Sequence, residues 1–144
     1  MGVLNMKLTE EIMAERFHKL GLGIYDENGT YGNIYLDNIP DIIPKDTEEI
    51  ICIYQSGSFE REIKDVGGAI HPIIMVYVKG RNLIKTAKKA KEICDVISED
   101  QYISNDFIVH QTYIFSEPTR LAMDEKENYT FSFRLLLTIE EKKS

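Results

Sequence analysis

Every second position from Tyr129 to Ile139 is large and apolar: Tyr129, Phe131, Phe133, Leu135, Leu137 and Ile139. Thr130, Ser132, Arg134 and Thr138 alternate with them, and Leu136 is the one apolar exception. A period of two belongs to a strand and sets this whole series on one face of a sheet. Burying each such side chain is worth about 1.5–3 kcal/mol, so that face needs an apolar cover. The polar alternates predict an opposite face that is at least partly wet. Together these make an antiparallel sheet with helices packed on one side.

The rest of the chain supplies the cover and the neighbouring strands. Thr9 is a possible N-cap, Glu10 and Glu11 fall in the first turn where the helix dipole favours acids, and Ile12, Met13, Phe17 and Leu20 recur at helical spacing. Gly21 and Gly23 end that helix. From Tyr25 to Asp46 turn formers dominate, with a short strand expected around Asn33 to Leu36. Glu49 to Gln55 is apolar on both faces, as a strand inside a sheet would be, and Ser56 to Gly68 reads as a polar, flexible connection. Ile73 to Val78, continuously apolar and β-branched, is the expected central strand. After Gly80, Asn82 caps a second helix. Its stripe is Leu83, Ile84, Ala87, Ala90, Ile93, Cys94 and Ile97, and Lys85, Lys88, Lys89 and Lys91 lie on its other surface. A strand from Phe107 to Phe115 follows, with Phe107, Val109, Tyr113 and Phe115 expected on one side and Ile108 and Ile114 on the other. Ser116-Glu117-Pro118 is expected to end it. The fold class expected is therefore α+β: a mixed, mostly antiparallel sheet of about five strands with two main helices on one face, in one domain spanning residues 1–144.

Composition narrows the function. The chain has 144 residues, 43% apolar and 28% charged, which is globular in character, and its net charge is −7. An acidic chain is not drawn to phosphates, so a general nucleic-acid binder is not expected. No 18-residue apolar run and no signal-peptide order appear, which predicts assembly in a cytoplasm and no membrane partner. Asn28-Gly29-Thr30 and Asn128-Tyr129-Thr130 fit the glycosylation pattern but read as turns without secretion. Cys52 and Cys94 sit among apolar neighbours, as small buried hydrophobes do.

Catalytic signals are sparse. His18, His71 and His110 fall on three separate elements without the paired spacing of a zinc site. No nucleophile elbow is present, and Gly67-Gly68 precedes a strand, the wrong order for a phosphate-cradling loop. Asp124-Glu125 is a carboxylate pair, but adjacent acids in a turn are ordinarily solvated charge. Neither an enzyme nor a cofactor is expected.

Two stretches carry a resemblance. The first is Gln55-Ser56-Gly57 followed by His71-Pro72-Ile73-Ile74-Met75-Val76-Tyr77-Val78-Lys79-Gly80 and an alanine-bearing helix. The second is Glu117-Pro118-Thr119-Arg120-Leu121-Ala122-Met123-Asp124-Glu125 ahead of Tyr129-Thr130-Phe131-Ser132-Phe133-Arg134-Leu135. With the N-terminal helix, the chain resembles the small phage minor capsid or tail terminator family. The firm part spans residues 67–139. The sequence departs from that pattern at Ala122-Met123, where a glycine and a basic residue would be expected.

The resemblance implies a structural subunit of a phage or prophage virion, at the head-proximal end of the tail. It would form a homo-oligomeric ring, usually of six copies, that caps the tail tube and meets the head connector or a head-completion protein. DNA would pass through without specific binding. Ring assembly needs one patch to meet a different patch on the next copy. The expected contacts are the lysine face (Lys85, Lys88, Lys89), the acidic turn (Asp124, Glu125, Glu127) and the loop bearing Ser58, Phe59, Glu60 and Arg61. The alternatives are a head-tail joining protein, a small-ligand-binding regulatory domain with the Ser56–Gly68 loop over a pocket, and an enzyme using His71 or His110.

Overall fold

The computed structural model describes residues 8–27, 32–38, 40, 43–44, 47–58, 69–104, 106–123 and 126–142. Two helices, α1 (Thr9–Lys19) and α2 (Leu83–Ile97), lie with six strands: β1 (Ile34–Leu36), β2 (Glu49–Ser58), β3 (Pro72–Gly80), β4 (Tyr102–Ile103), β5 (Phe107–Arg120) and β6 (Tyr129–Glu141). The sheet order is β1-β2-β3-β6-β5-β4. The β1/β2 pair is parallel and the other pairs are antiparallel. This is the α+β fold expected, with the short β4 added.

The alternation along β6 does what its period requires. Phe131, Phe133, Leu135, Leu137 and Ile139 are all buried, in one cluster with Ile51 and Ile53 of β2 and Ile74, Val76 and Val78 of β3. Ile12, Met13, Ala14 and Phe17 of α1 and Ala90, Ile93, Cys94 and Ile97 of α2 complete that cluster, so both helices cover the same face. The helix ends follow local chemistry. Leu8, rather than Thr9, stands at the N-cap of α1, and its N–H donates to Glu11 Oε1 at 3.0 Å. Thr9 becomes the first helical residue because this reciprocal half of a capping box already satisfies the chain entry. Gly21, at φ 77°, closes the helix; the Leu22 N–H reaches Phe17 O and the Gly21 N–H reaches His18 O, a Schellman arrangement that glycine allows. Asn82 caps α2 as expected, accepting from the Lys85 N–H at 2.9 Å.

Three features depart from the sequence expectations. Ile84 does not join the apolar stripe of α2: it is 61% exposed, and the buried Thr86 takes the inward position, its hydroxyl donating to Asn82 O. β5 does not stop at Pro118 but continues to Arg120. Pairing resumes beyond the proline, where the Leu121 N–H donates to Thr130 O, and Pro118 itself lies within the register shift between Ser116 and Thr119, where the regular ladder is already interrupted and a proline is tolerated. Lastly, β5 is not a straight alternation. Register shifts lie between Val109 and Gln111, between Ile114 and Ser116, and between Ser116 and Thr119. Each extra residue turns the following side chains over. Phe107 and Val109 face the helices, but Tyr113 and Phe115 leave that side, and Thr112 and Ile114 pack toward the core in their place.

Tie points between distant segments fix the helices. Arg16 of α1 meets the Asp100 carboxylate through two bonds, Nε to Oδ2 and an Nη to Oδ1, both 2.8 Å, while its guanidinium lies 4.4 Å from the Tyr102 ring centre. The Tyr102 hydroxyl donates to Ile12 O. Among the described residues no helix is long and apolar enough to cross a membrane.

Candidate interaction surface

The side chains that point away from the helices form the second face of the sheet. One end of it is covered. Ile50 and Cys52 of β2 are buried there, and Ile43, in the segment that leads into β2, is buried as well. The approach to β2 is held down by Lys79 Nζ, which donates to Pro40 O at 3.0 Å. Arg81 completes the hold by donating to Ile43 O at 2.5 Å, Thr47 O at 2.8 Å and Pro44 O at 3.1 Å. Burial pushes the Cys52 thiol up to about 11, and the Cys94 thiol, inside the helix-side core, up to about 12. Both are inert small hydrophobes, as the sequence suggested.

Among the described residues, the remainder of this face is partly open, its side chains half-buried to exposed. Residues in direct register share a face, so the pairs Tyr54–Met75, Met75–Arg134 and Arg134–Ser116 form one row, and Ile73–Leu136 and Leu136–Tyr113 form the next. Tyr54 and Tyr77 stack with ring centres 5.6 Å apart and hydroxyls 3.0 Å apart. That mutual hydrogen bond, with partial burial, raises the Tyr54 phenol to about 12. Tyr113 is 54% exposed and Phe115 38%. Where β5 runs out into the turn to β6, Leu121 (38%) and Met123 (49%) are also exposed. Large apolar side chains are thus exposed at two places, Tyr113 and Phe115 within β5 and Leu121 and Met123 beyond its end.

Arg134 sits in the middle of this patch. It is half-buried; its guanidinium carbon lies 4.8 Å from the Phe115 ring centre, and its Nε donates to Ser116 Oγ at 3.4 Å. Among the described residues no carboxylate forms an ion pair with it. A cation held against an aromatic ring with most of its donors unused is the kind of group that recognises a carboxylate. The sequence registered Arg134 only as a polar alternate. The available signal was the break at Leu136, which makes the outward face of β6 partly apolar beside an arginine.

The residues singled out from sequence fall as follows. Lys85 pairs with Glu48 at 3.1 Å, Lys89 with Glu92 at 3.2 Å and Lys91 with Asp95 at 3.7 Å, while Lys88 is exposed and has no ion pair among the described residues. The lysine face is therefore largely matched by carboxylates of its own chain. Glu127 is exposed, at φ 61°. The register Gly80↔Tyr129 brings the turn it belongs to near the start of α2, at the same end of the sheet as Lys85. Ser58 ends β2, paired with Pro72. Phe59, Glu60, Arg61, Asp124 and Glu125 lie outside the described residues.

The histidines stay apart. His18 Nδ1 accepts from the Tyr25 N–H, His71 Nδ1 lies 3.2 Å from Thr138 Oγ1, and His110 Nε2 is 2.8 Å from Glu140 Oε1. No group of three metal-binding side chains occurs among the described residues. A shallow depression of about 310 Å³ on α1 is lined by Glu15, His18, Lys19, Tyr25 and Glu27. It is remote in sequence from the Ser56–Gly68 loop. Compared with protein-family models and with curated proteins, the chain matches none.

Proposed function

We propose that this chain is a structural subunit of a phage or prophage virion, a tail terminator that forms a ring on the finished tail tube and joins it to the head. The sequence resemblance over residues 67–139 supports this reading. The observation that carries the reading is the open sheet face, where Tyr113, Phe115, Met75 and Leu136 surround Arg134. Aromatic, methionine and arginine side chains grouped this way are those enriched at protein–protein interface cores. A subunit of a ring needs such a face, together with a different patch on the same chain to meet it.

The ring, expected to hold six copies, sits at the head-proximal end of the tail, with the tube protein on one side and the head connector or a head-completion protein on the other. A net charge of −7 suits a lumen through which DNA slides without adhering. The chain itself carries out no chemical step in this role. The test is addition of the purified protein to its cognate tube protein during polymerisation, with tube lengths measured by negative-stain electron microscopy. Tubes that stop elongating as the chain is added support the reading. Tubes of unchanged length distribution, with no chain bound at their ends, overturn it.

A further inference from the structure

The open face and the tip of the β5–β6 hairpin complement one another in both apolarity and charge. The face offers Ile73, Leu136, Tyr113 and Phe115 around an arginine that forms no ion pair with a carboxylate among the described residues. The sequence from residue 121 to residue 128 reads Leu-Ala-Met-Asp-Glu-Lys-Glu-Asn, three acids against one lysine, next to two large apolar side chains. Leu121 and Met123 are exposed there, and so is Glu127. Exposed apolar side chains followed by acids are what an aromatic face with a central cation takes up.

The two patches of one copy do not meet. The hairpin is closed at its base by the Leu121 N–H to Thr130 O bond, and Tyr129, level with Gly80, marks the end of the sheet. Arg134 lies five residues further along β6, at about 3.3 Å per residue roughly 17 Å away. The lysine face is a poorer complement, since Lys85, Lys89 and Lys91 already have acidic partners in their own chain.

We infer that the hairpin tip of one copy docks on the open sheet face of the next, with Leu121 and Met123 against Tyr113, Phe115 and Leu136, and Glu127 toward Arg134. The occupant of the face is a second copy of this chain. Because tip and face are different patches, the contact is heterologous and propagates from copy to copy until a ring closes. Charge sets its register and the apolar side chains supply most of its strength. This inference deepens the ring reading and rests on it for its biological setting, but the contact itself is one that free copies make at high protein concentration.

The experiment is disulfide trapping in the full-length chain. Cys52 and Cys94 are buried, so thiols placed at positions 113 and 123 are the reactive ones. Under mild oxidation, Tyr113→Cys with Met123→Cys in one chain should give a ladder of covalent oligomers. Each single variant should stop at dimers. Adding Arg134→Glu to the double-cysteine chain should reduce the ladder at least tenfold, and adding Glu127→Arg as well should restore part of it. Arg134→Gln, with its melting curve, controls for folding, and Leu121→Asp, which keeps the backbone bond to Thr130 O, should weaken the ladder from the tip side. A double-cysteine chain that yields no more than its single variants overturns the inference, as does a ladder indifferent to Arg134→Glu. If the ladder fails while the protein still halts tube growth, the terminator reading stands and this contact is wrong. If the ladder forms while tube growth is unaffected, the contact stands and the terminator reading falls.

Discussion

Replacing Gly80 by alanine tests the corner where β3 turns into α2, against which the base of the β5–β6 hairpin is paired. Its φ is not positive, so the cost of a side chain here is steric. A Cβ at position 80 would overlap Thr86 Oγ1 and would stand 3.2 Å from both the Glu48 carbonyl oxygen and Glu49 Cγ. Thr86 is fully buried, and its hydroxyl donates to Asn82 O at 2.6 Å, so relieving the overlap disturbs a buried bond at the start of α2. Overpacking of this kind costs about 1–3 kcal/mol. Losing the hydrogen bond adds about 1 kcal/mol. Alanine offsets about 0.4–1 kcal/mol by restricting the unfolded chain. The net is a loss of about 2 kcal/mol, which for a chain of this length lowers Tm by roughly 6 °C. Urea unfolding followed by circular dichroism measures it directly. The decisive comparison is with Thr86→Ala, which removes the overlapping oxygen. In that background the remaining contacts ask for shifts of only a few tenths of an ångström, and Gly80→Ala should cost close to nothing. An equal cost in both backgrounds would refute the steric argument.

Asp100→Ala leaves Arg16, with 19% of its side chain exposed, without its bidentate partner, and should cost about 2 kcal/mol in urea unfolding; a change under 0.5 kcal/mol would show that the Tyr102 ring suffices to hold Arg16. Burial, reinforced by the neighbouring Asp37, raises the Glu10 carboxyl above the ordinary carboxylate range. A raised native pKa contributes stability that is complete below the unfolded-state pKa and is lost as pH rises through the native one. Glu10→Gln should therefore be the more stable protein at neutral pH and lose its advantage on acidification; a constant difference across that window would exclude the linkage. With thiols raised to about 11 and about 12, Cys52 and Cys94 should resist a thiol reagent at pH 8 in the native protein and react together on unfolding. Rapid labelling of either in the folded state would contradict their burial.

The layout of this fold was readable where a side chain's period is set by burial alone. The run from Tyr129 to Ile139 specified a strand with one covered face, and the α1 and α2 stripes specified the cover. Gly21 and Asn82 marked helix ends because positive φ and side-chain capping leave few alternatives. What escaped was set by partners distant in sequence. The extra residues in β5 have no signature in a run of β-formers, so Tyr113 and Phe115 were assigned to the wrong face. Pro118 reads as a stop because the register shift that accommodates it, between Ser116 and Thr119, depends on the partner strand. Ile84 yields the inward position to Thr86, whose hydrogen-bonded hydroxyl fits where Gly80 carries no side chain. The candidate surface was hidden for the same reason: Arg134 becomes conspicuous only once Phe115 has been turned over to meet it and its register neighbours are known to be Met75 and Ser116.

Deletion of the gene from the phage or prophage that carries it, followed by negative-stain electron microscopy of the induced lysate, addresses the central claim most directly. Loss of a subunit that stops the tube and licenses joining should leave overlong tails beside tailless heads, with both defects repaired when the chain is supplied in trans. Particles of normal tail length, correctly joined to filled heads, would contradict the terminator reading.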